Sequence, residues 1–487
     1  MANTTLVIGL GFGDEGKGTI VDYLARHKDA KLVVRFNGGA QAGHNVIGPS
    51  GQHHCFSQWG SGTLVAARTL LSRHVLVNPI FAESEARHLE SIGVPDPYAL
   101  LSVERDAPVT TPFHVAANRC RELARQASSG SVHGSCGMGV GETMEDLVSN
   151  KPDPVYVRDI EIGAHAAYGA IRSKLARVQE RKRAEVKDLP GLDLRSPRVL
   201  QELFVLEDPS ILDAVVTSYA KFARRVAIVG RDFLERELDA PGHVVFEGAQ
   251  GVLLDEWWGF HPHTTWSTCT FDNATEILGA ERAGRARRIG VLRTFHTRHG
   301  AGPFPTENKS MDALSADDHN KRDPWQHDFR SGAFDLLLTR YALDVCGGCD
   351  GLAFTHLDKL ERRANFPVAV GYYVDGAKMV RIPRRRPNDL QYQERLGQQL
   401  AQAQPIYAPA DLGGERPIAP EAQCGPGPSA RLRRDEGIAM LHVEGLAELL
   451  ETPLAIVSRG KTAADKIDLG EDAHASSRSQ ATTPPPN

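Results

Sequence analysis

Long apolar runs are missing from this chain: nothing in its 487 residues approaches the ~18 consecutive apolar residues of a membrane-spanning helix. An excess of one charge is missing as well. The 56 Lys and Arg against 61 Asp and Glu leave a net charge of −5, so no basic field points toward nucleic acid. Cysteine is sparse: seven residues, an odd number at wide spacings, exclude a disulfide framework and suit a reducing compartment. Cys346 and Cys349 form a CxxC, but no second CxxC or close Cys/His pair completes a metal set, so they read as structural or loop thiols. The chain opens almost directly on an apolar run, Thr5-Leu6-Val7-Ile8, without room for a charged leader and an apolar signal core. A cytoplasmic location with no membrane contact is therefore expected.

What is present is an ordinary globular composition, 41% hydrophobic and 24% charged, able to bury a sizeable core. Short β-branched runs alternate with helix-like stretches and no solenoid-type repeat occurs. This predicts an α/β fold with a large, mostly parallel central sheet flanked by helices. The predicted strands are Thr5–Ile8, Leu32–Phe36, Arg225–Val229, His243–Phe246, Ile289–Phe295, Leu352–Thr355 and Leu454–Val457. Residues 1–470 read as one folded unit with two insertions. The first, near 180–210, is highly charged and reads as a surface helix plus loop. The second, near 382–436, is rich in Pro, Gly and Arg and predicts an irregular excursion with a helix at Gln391–Ala403. Its arginine run, Arg384 to Arg386, reads as a solvated loop. Residues 471–487 are Ser-, Thr- and Pro-rich and are expected to be disordered.

The strongest local signal is the first strand-to-helix turn, Gly9-Leu10-Gly11-Phe12-Gly13-Asp14-Glu15-Gly16-Lys17-Gly18-Thr19. Gly11 through Lys17 fit the phosphate-cradling pattern G-x-x-x-x-G-K, with the usual hydroxyl displaced by Gly18 to Thr19. Glycines let backbone N–H groups crowd around phosphate oxygens, the helix beginning near Lys17 offers its positive end, and Lys17 adds a full charge. Asp14 is the anomaly. A carboxylate inside such a loop repels phosphate unless it binds a metal or transfers a proton. A generic Walker-type ATPase or GTPase is the main competing reading, but it needs a hydroxyl ligand to magnesium and a separate acidic partner. A dinucleotide-binding dehydrogenase fits poorly, because the third glycine and the acid after the second strand are missing.

A second cluster follows the second strand: Arg35-Phe36-Asn37-Gly38-Gly39-Ala40-Gln41-Ala42-Gly43-His44-Asn45. A histidine with a near-neutral pKa, freed by neighbouring glycines and placed beside a phosphate turn, suits acid catalysis on an anionic substrate.

The pairing of Gly13–Gly18 with a Gly-Gly-x-x-Ala-Gly-His segment resembles the adenylosuccinate synthetase family. The resemblance continues in family order through Phe246-Glu247-Gly248-Ala249-Gln250-Gly251-Val252-Leu253-Leu254-Asp255, then Thr297-Arg298-His299-Gly300-Ala301-Gly302-Pro303-Phe304-Pro305-Thr306-Glu307, Thr355-His356-Leu357-Asp358 and Ser458-Arg459-Gly460. It implies a GTP-dependent carbon–nitrogen ligase of purine nucleotide biosynthesis, usually a homodimer with shared active sites. The γ-phosphate of GTP would move to O6 of a 6-oxopurine nucleotide, and the amine of L-aspartate would then displace it, giving adenylosuccinate. On that resemblance Asp14 is the base and His44 the hydrogen-bonding acid. Asp14 and the Gly43 carbonyl would hold Mg²⁺. GTP would meet Gly13, Glu15, Gly16, Lys17, Gly18 and Asn45, with Asp358, Ser458 and Gly460 at its guanine. The purine nucleotide would meet Asp14, Lys17, Gln41, Gly43, His44, Cys136, Gln250 and Thr265.

The departures resemble a divergent branch that includes phage enzymes making 2-aminoadenylosuccinate from dGMP. Ser135-Cys136-Gly137-Met138-Gly139 replaces the family's Thr-Thr-Gly-Arg-Gly, and Asn150 stands where an arginine reaches the partner's nucleotide. His356 replaces the lysine of the guanine motif. In the aspartate loop Pro324-Trp325-Gln326-His327-Asp328-Phe329-Arg330 keeps only Arg330, with His327 in an arginine position, so these two are the expected aspartate ligands. Intact Asp14 favours an IMP-like base over (d)GMP. Asp14, Lys17 and His44 together argue against a third reading, a regulator that binds nucleotide without ligation.

Overall fold

The computed structural model describes residues 1–129, 135–161, 166–312, 325, 329–360, 366–408 and 434–470. Ten strands form the main sheet, numbered here along the chain: β1 (Asn3–Gly9), β2 (Ala30–Arg35), β3 (Arg68–Leu71), β4 (Leu101–Glu104), β5 (Ala227–Val229), β6 (His243–Glu247), β7 (Arg287–Arg293), β8 (Gly351–Thr355), β9 (Leu454–Ser458) and β10 (Lys466–Asp468). Their spatial order is β10-β9-β8-β7-β1-β6-β2-β3-β4-β5. All neighbouring pairs are parallel except β9 with β10. All seven predicted strands lie in this sheet, and β3, β4 and β10 join them.

Both faces of the sheet are covered, which is why its central strands are continuous apolar runs instead of alternating ones. Successive side chains point to opposite faces. Leu6 and Ile8 of β1 pack into a core with Val34, Phe246, Leu352 and Phe354, backed by the helix Leu336–Cys346. Val7, between them, joins Val33, Val245, Val291 and Ile456 on the other face, against Ile20, Val21 and Leu24 of the helix Lys17–His27. A further core lies under the helices Pro112–Ser129, Ala166–Lys187 and Ser210–Arg225.

Strand β1 sits between β7 and β6, while the chain leaving it passes over β6 to form β2. This reversal is the topological switch point of the sheet, where open parallel sheets leave a crevice at their carboxyl ends. The Gly-rich turn Gly9–Gly16 lies at that point.

Two expectations are corrected. The charged stretch near 180–210 is not only surface: it holds the end of the long helix Ala166–Lys187 and the helix Pro197–Glu207. Within it, Lys182 is 1% exposed and paired with Glu142, Asp146 and Glu185, because a buried ammonium needs that compensation. The predicted strand from Arg225 begins at Ala227, since Arg225 still ends the preceding helix. In the second insertion the expected helix forms as Leu390–Ala401 and is followed by a short strand, Gln404–Tyr407. Arg384 lies over the Trp258 ring and Arg385 over Tyr392, both still exposed. The rest of that insertion from residue 409 to 433, and residues 471–487, lie outside the described residues. No described helix is long and apolar enough to cross a membrane.

Candidate active site

The loops after β1, β2, β6, β7, β8 and β9 converge on one cavity of about 700 Å³. Gly13, Asp14, Gly16, Lys17 and Gly18 line it from the first loop, and Gln41, Gly43, His44 and Asn45 from the second. Gln250 and Thr265 line it after β6, Asp358 after β8, Ser458 and Gly460 after β9, and Cys136 from outside the sheet. The structure thus brings together fifteen of the eighteen residues singled out by sequence. Glu15, Arg330 and His327 are the exceptions.

Glu15 is buried beneath the loop. Its carboxylate accepts the N–H groups of Gly11 at 3.0 Å and Gly13 at 2.8 Å, and pairs with the Lys17 ammonium at 2.7 Å. It therefore shapes the loop from inside and does not face the cavity. Gly16, at φ 91°, ends the loop with no side-chain cap on the helix Lys17–His27, so the first N–H groups of that helix are left for a ligand.

Three non-glycine residues on the cavity wall hold left-handed backbones: Asp14 (φ 60°), Gln250 (φ 61°) and His356 (φ 63°). Such conformations cost on the order of 1–3 kcal/mol each and persist where surrounding structure enforces them. Thr355 helps to enforce the first, donating its hydroxyl to the Glu15 carbonyl at 2.6 Å. Arg293, at the end of β7, donates to the Asp14 carbonyl.

His44 is placed by the hairpin His44–Ile47 and His53–Phe56. Its Nδ1 lies 2.6 Å from Glu247 at the end of β6, and its Nε2 is buried without a hydrogen-bond partner among the described residues. Glu247 is fully buried and also accepts the N–H and hydroxyl of Ser61. Burial alone would raise the Glu247 carboxyl, but Arg35, His44 and Ser61 outweigh it and hold it at about 2. Burial, with Arg35 and Lys17 nearby, keeps His44 below its ordinary value despite the pull of Glu247. The resting imidazole is therefore neutral, with Nδ1–H turned to Glu247. Negative charge brought beside it would favour protonation at Nε2, making it a donor.

At the far end, Ser458 donates to the Gly460 carbonyl at 3.1 Å, and Lys466 reaches the carbonyls of Gly460 and Thr462. A side chain at Gly460 would meet the Asp465 carboxyl at 2.6 Å and push it from its place. His356, beside Asp358, is held well below its ordinary pKa by burial and by the charges of Arg293 and Lys359. Its ring therefore adds no charge beside Asp358. At the opposite end, Gln250 donates to Thr265 at 2.5 Å, and both amide atoms of Gln41 are buried without partners among the described residues. Such an amide is suited to a polar ligand.

Sequence reasoning did not single out Glu247, Arg293 or Trp266. Glu247 stood inside a quoted motif, where an acid ending a wholly apolar strand was the available signal. Trp266 follows Thr265, lines the cavity and is 45% exposed. Arg330 lies beside the cavity, next to the Gly300–Gly302 turn. Its guanidinium donates to the carbonyls of Gly300 at 2.7 Å and Gly302 at 3.0 Å and pairs with Glu307 at 2.8 Å, so it braces a turn and does not line the cavity. His327 lies outside the described residues.

Among the described residues no group of three or more His, Cys, Asp or Glu could cage a metal ion. One carboxylate and one carbonyl, from Asp14 and Gly43, are nevertheless hard oxygen donors. They fit a cation that keeps several waters and takes its remaining ligands from phosphates.

The sequence profile of the adenylosuccinate synthetase family matches residues 6–407. The adenylosuccinate synthetase of Acidithiobacillus ferrooxidans is 32% identical over 473 residues, covering 96% of this chain and 99% of that protein. That of Methylibium petroleiphilum is 31% identical over 389 residues, covering 78% and 82%. Among solved structures, the fully ligated adenylosuccinate synthetase of Plasmodium falciparum superposes with a TM-score of 0.74 at 19% identity, over 96% of this chain and 99% of that one. The succinoaminodeoxyadenylate synthetase of cyanophage S-2L, bound to dGMP and to dATP as an energy donor, gives a TM-score of 0.57 at 15% identity, over 98% of each chain. At such identities these two structures establish the fold alone. The family match and the relatives establish more: the chain belongs to the adenylosuccinate synthetase family and is a carbon–nitrogen ligase.

Proposed function

We propose that the enzyme joins L-aspartate to an IMP-like 6-oxopurine nucleotide at the expense of GTP, giving adenylosuccinate, GDP and phosphate. The observation that carries this reading is the meeting of Asp14, Lys17 and His44 in one cavity, between a Gln41–Gln250–Thr265 end and an Asp358–Ser458–Gly460 end. The purine nucleotide takes the first end, against Gly43 and Cys136, and the guanine of GTP the second, with its phosphates along Gly13 to Gly18 and Asn45.

Asp14 accepts the N1 proton of the base, and O6 becomes the nucleophile. O6 bonds to the γ-phosphorus as the bond to the β-phosphate oxygen breaks, leaving GDP. Lys17, the helix N-terminus behind it and His44 Nε2 stabilise charge on the transferring group. The aspartate amine then attacks C6 and phosphate departs. Asp14 and the Gly43 carbonyl are the residues that would hold Mg²⁺, which when bound neutralises phosphate charge. Arg330 serves this site indirectly, by fixing the Gly300–Gly302 turn whose Ala301 borders the cavity. The working enzyme is a cytoplasmic homodimer.

The test is a substrate matrix of IMP, dIMP, GMP and dGMP with aspartate, each with GTP or ATP, read by mass spectrometry. The adduct is expected from IMP, aspartate and GTP. Product only from dGMP or GMP would replace the base assignment, and no aspartate-dependent product from any pairing would remove the reading.

A further inference from the structure

We infer that Lys466 is a positioning residue that shapes the turn carrying Ser458 and Gly460, and so sets the affinity for the nucleoside triphosphate. The inference rests on the reading above that this end of the cavity takes the base of GTP. Lys466 is a charge that the proposed chemistry does not use. It is only 7% exposed and lies behind the cavity wall, in contact with one residue that lines it, Gly460. A buried ammonium is costly unless its hydrogen bonds do something for the fold.

The turn joins β9 to β10, and Ser458 and Lys466 face each other across that antiparallel pair. From there the Lys466 ammonium reaches back into the turn and donates to the carbonyls of Gly460 at 2.9 Å and Thr462 at 2.7 Å. Each carbonyl takes a second donor. Gly460 accepts the Ser458 hydroxyl at 3.1 Å, and Thr462 accepts the Asp465 N–H at 3.1 Å. The Asp465 carboxylate in turn accepts the N–H and hydroxyl of Thr462, both at 2.8 Å. On its outer side the turn meets the phosphate-loop helix, where Thr19 donates to the Lys461 carbonyl at 3.4 Å.

A peptide plane is rigid and trans, so fixing a carbonyl also fixes the N–H on its opposite side. Holding Gly460 and Thr462 from behind therefore decides the face that Gly460 and Lys461 show to the cavity. The doubled bond on the Gly460 carbonyl matters as well. When a base draws the Ser458 hydroxyl away, Lys466 still satisfies that carbonyl. Ser458 can then turn to the ligand without leaving a buried acceptor bare. Burial brings the Lys466 ammonium down to about 8, against the pull of Asp465, Asp22 and Asp358, so it is still mainly charged at pH 7. A charged donor holds these carbonyls more strongly than a neutral one would.

The experiment uses the full chain with Lys466→Met and Lys466→Arg, and Asp358→Asn as reference. In Lys466→Met the KM for GTP is expected to rise at least tenfold, while kcat at saturating GTP and the KM for IMP stay within twofold. Lys466→Arg, which keeps the charge and its donors, should recover most of that loss. A Lys466→Met enzyme with a GTP KM within twofold of the parent overturns the inference. So does an equal rise in the KM values for GTP and IMP, or a Lys466→Arg enzyme no better than Lys466→Met. Should Lys466→Met not fold, Lys466→Gln is read in its place: a rise confined to GTP upholds the inference, and a rise shared with IMP, or none, overturns it. If Asp358→Asn leaves the KM for GTP unchanged, this end does not take the base, and the reading of the site fails with the inference. If Asp358→Asn weakens GTP and Lys466→Met does not, only the inference fails.

Discussion

Asp14, His44 and Asp358 reach the same cavity by different means, and each fails in its own way when changed. Asp14 is set by a strained backbone and, on the proposed function, carries the proton transfer. Asp14→Asn keeps the shape and removes the basicity, so steady-state adduct formation should fall at least ~100-fold, the usual weight of a general base. An unchanged far-ultraviolet circular dichroism spectrum would separate this loss from unfolding. His44 depends on Glu247 for its orientation, and the two form one buried unit whose free Nε2 faces the reaction. On the proposed function Asp358 acts by charge and hydrogen bonding to the base of GTP. In Asp358→Asn the paired donors of guanine lose a charged acceptor, costing on the order of 2 kcal/mol. Calorimetric titration should show GTP weakened about thirtyfold by that loss, and ATP hardly affected. Equal weakening of both would place guanine recognition elsewhere.

At the scale of elements, the turn after β7 is the case where charge was visible and its use was not. Arg330 is the expected aspartate ligand on the family resemblance, and the partners it has in this structure were hidden from the sequence. Its acceptors are backbone carbonyls 28 and 30 residues away, which no local pattern discloses. Arg330→Leu should lower stability by ~1–3 kcal/mol, since carbonyls and Glu307 lose charged donors. Urea unfolding would measure this, and the KM for aspartate should rise less than tenfold. The main strands were legible for the opposite reason. Leu6-Val7-Ile8 and Leu32-Val33-Val34 are buried on both sides, so continuous apolar residues announce them. β3 and β4 have four residues each and carry Arg68 and Glu104 at their ends, and β10 has three, too little for a pattern. The site motifs stood out because loops at carboxyl ends of strands use Gly, Asp and His where a packed core would not. Glu247 and Arg293 escaped because they belong to the strands themselves, where a single charge reads as a terminus.

The whole molecule is organised around the reversal of strand order at β1, which lets six loops reach one cavity. Its purine end is built partly by Cys136 and Gly141, outside the sheet, and Trp266 stands open there. The family resemblance implies a second subunit at this end. Light scattering coupled to gel filtration should therefore give a mass twice the 53.1 kDa of one chain. A monomeric mass together with full activity would show that each chain builds its site alone.

The buried Glu15 has one further consequence. A phosphate loop with no occupant presents converging N–H groups and a lysine with nothing to neutralise them, and repulsion would open it. Here a resident anion already sits under the loop, balancing Lys17 and taking the N–H groups of Gly11 and Gly13. The receptor is thus preassembled, and nucleotide arrives at a finished cradle instead of organising one. Glu15→Gln would transfer that task to the ligand. The empty variant should melt well below the parent, and saturating GTP should close much of the gap, giving a larger ligand-induced rise in Tm than the unaltered enzyme shows.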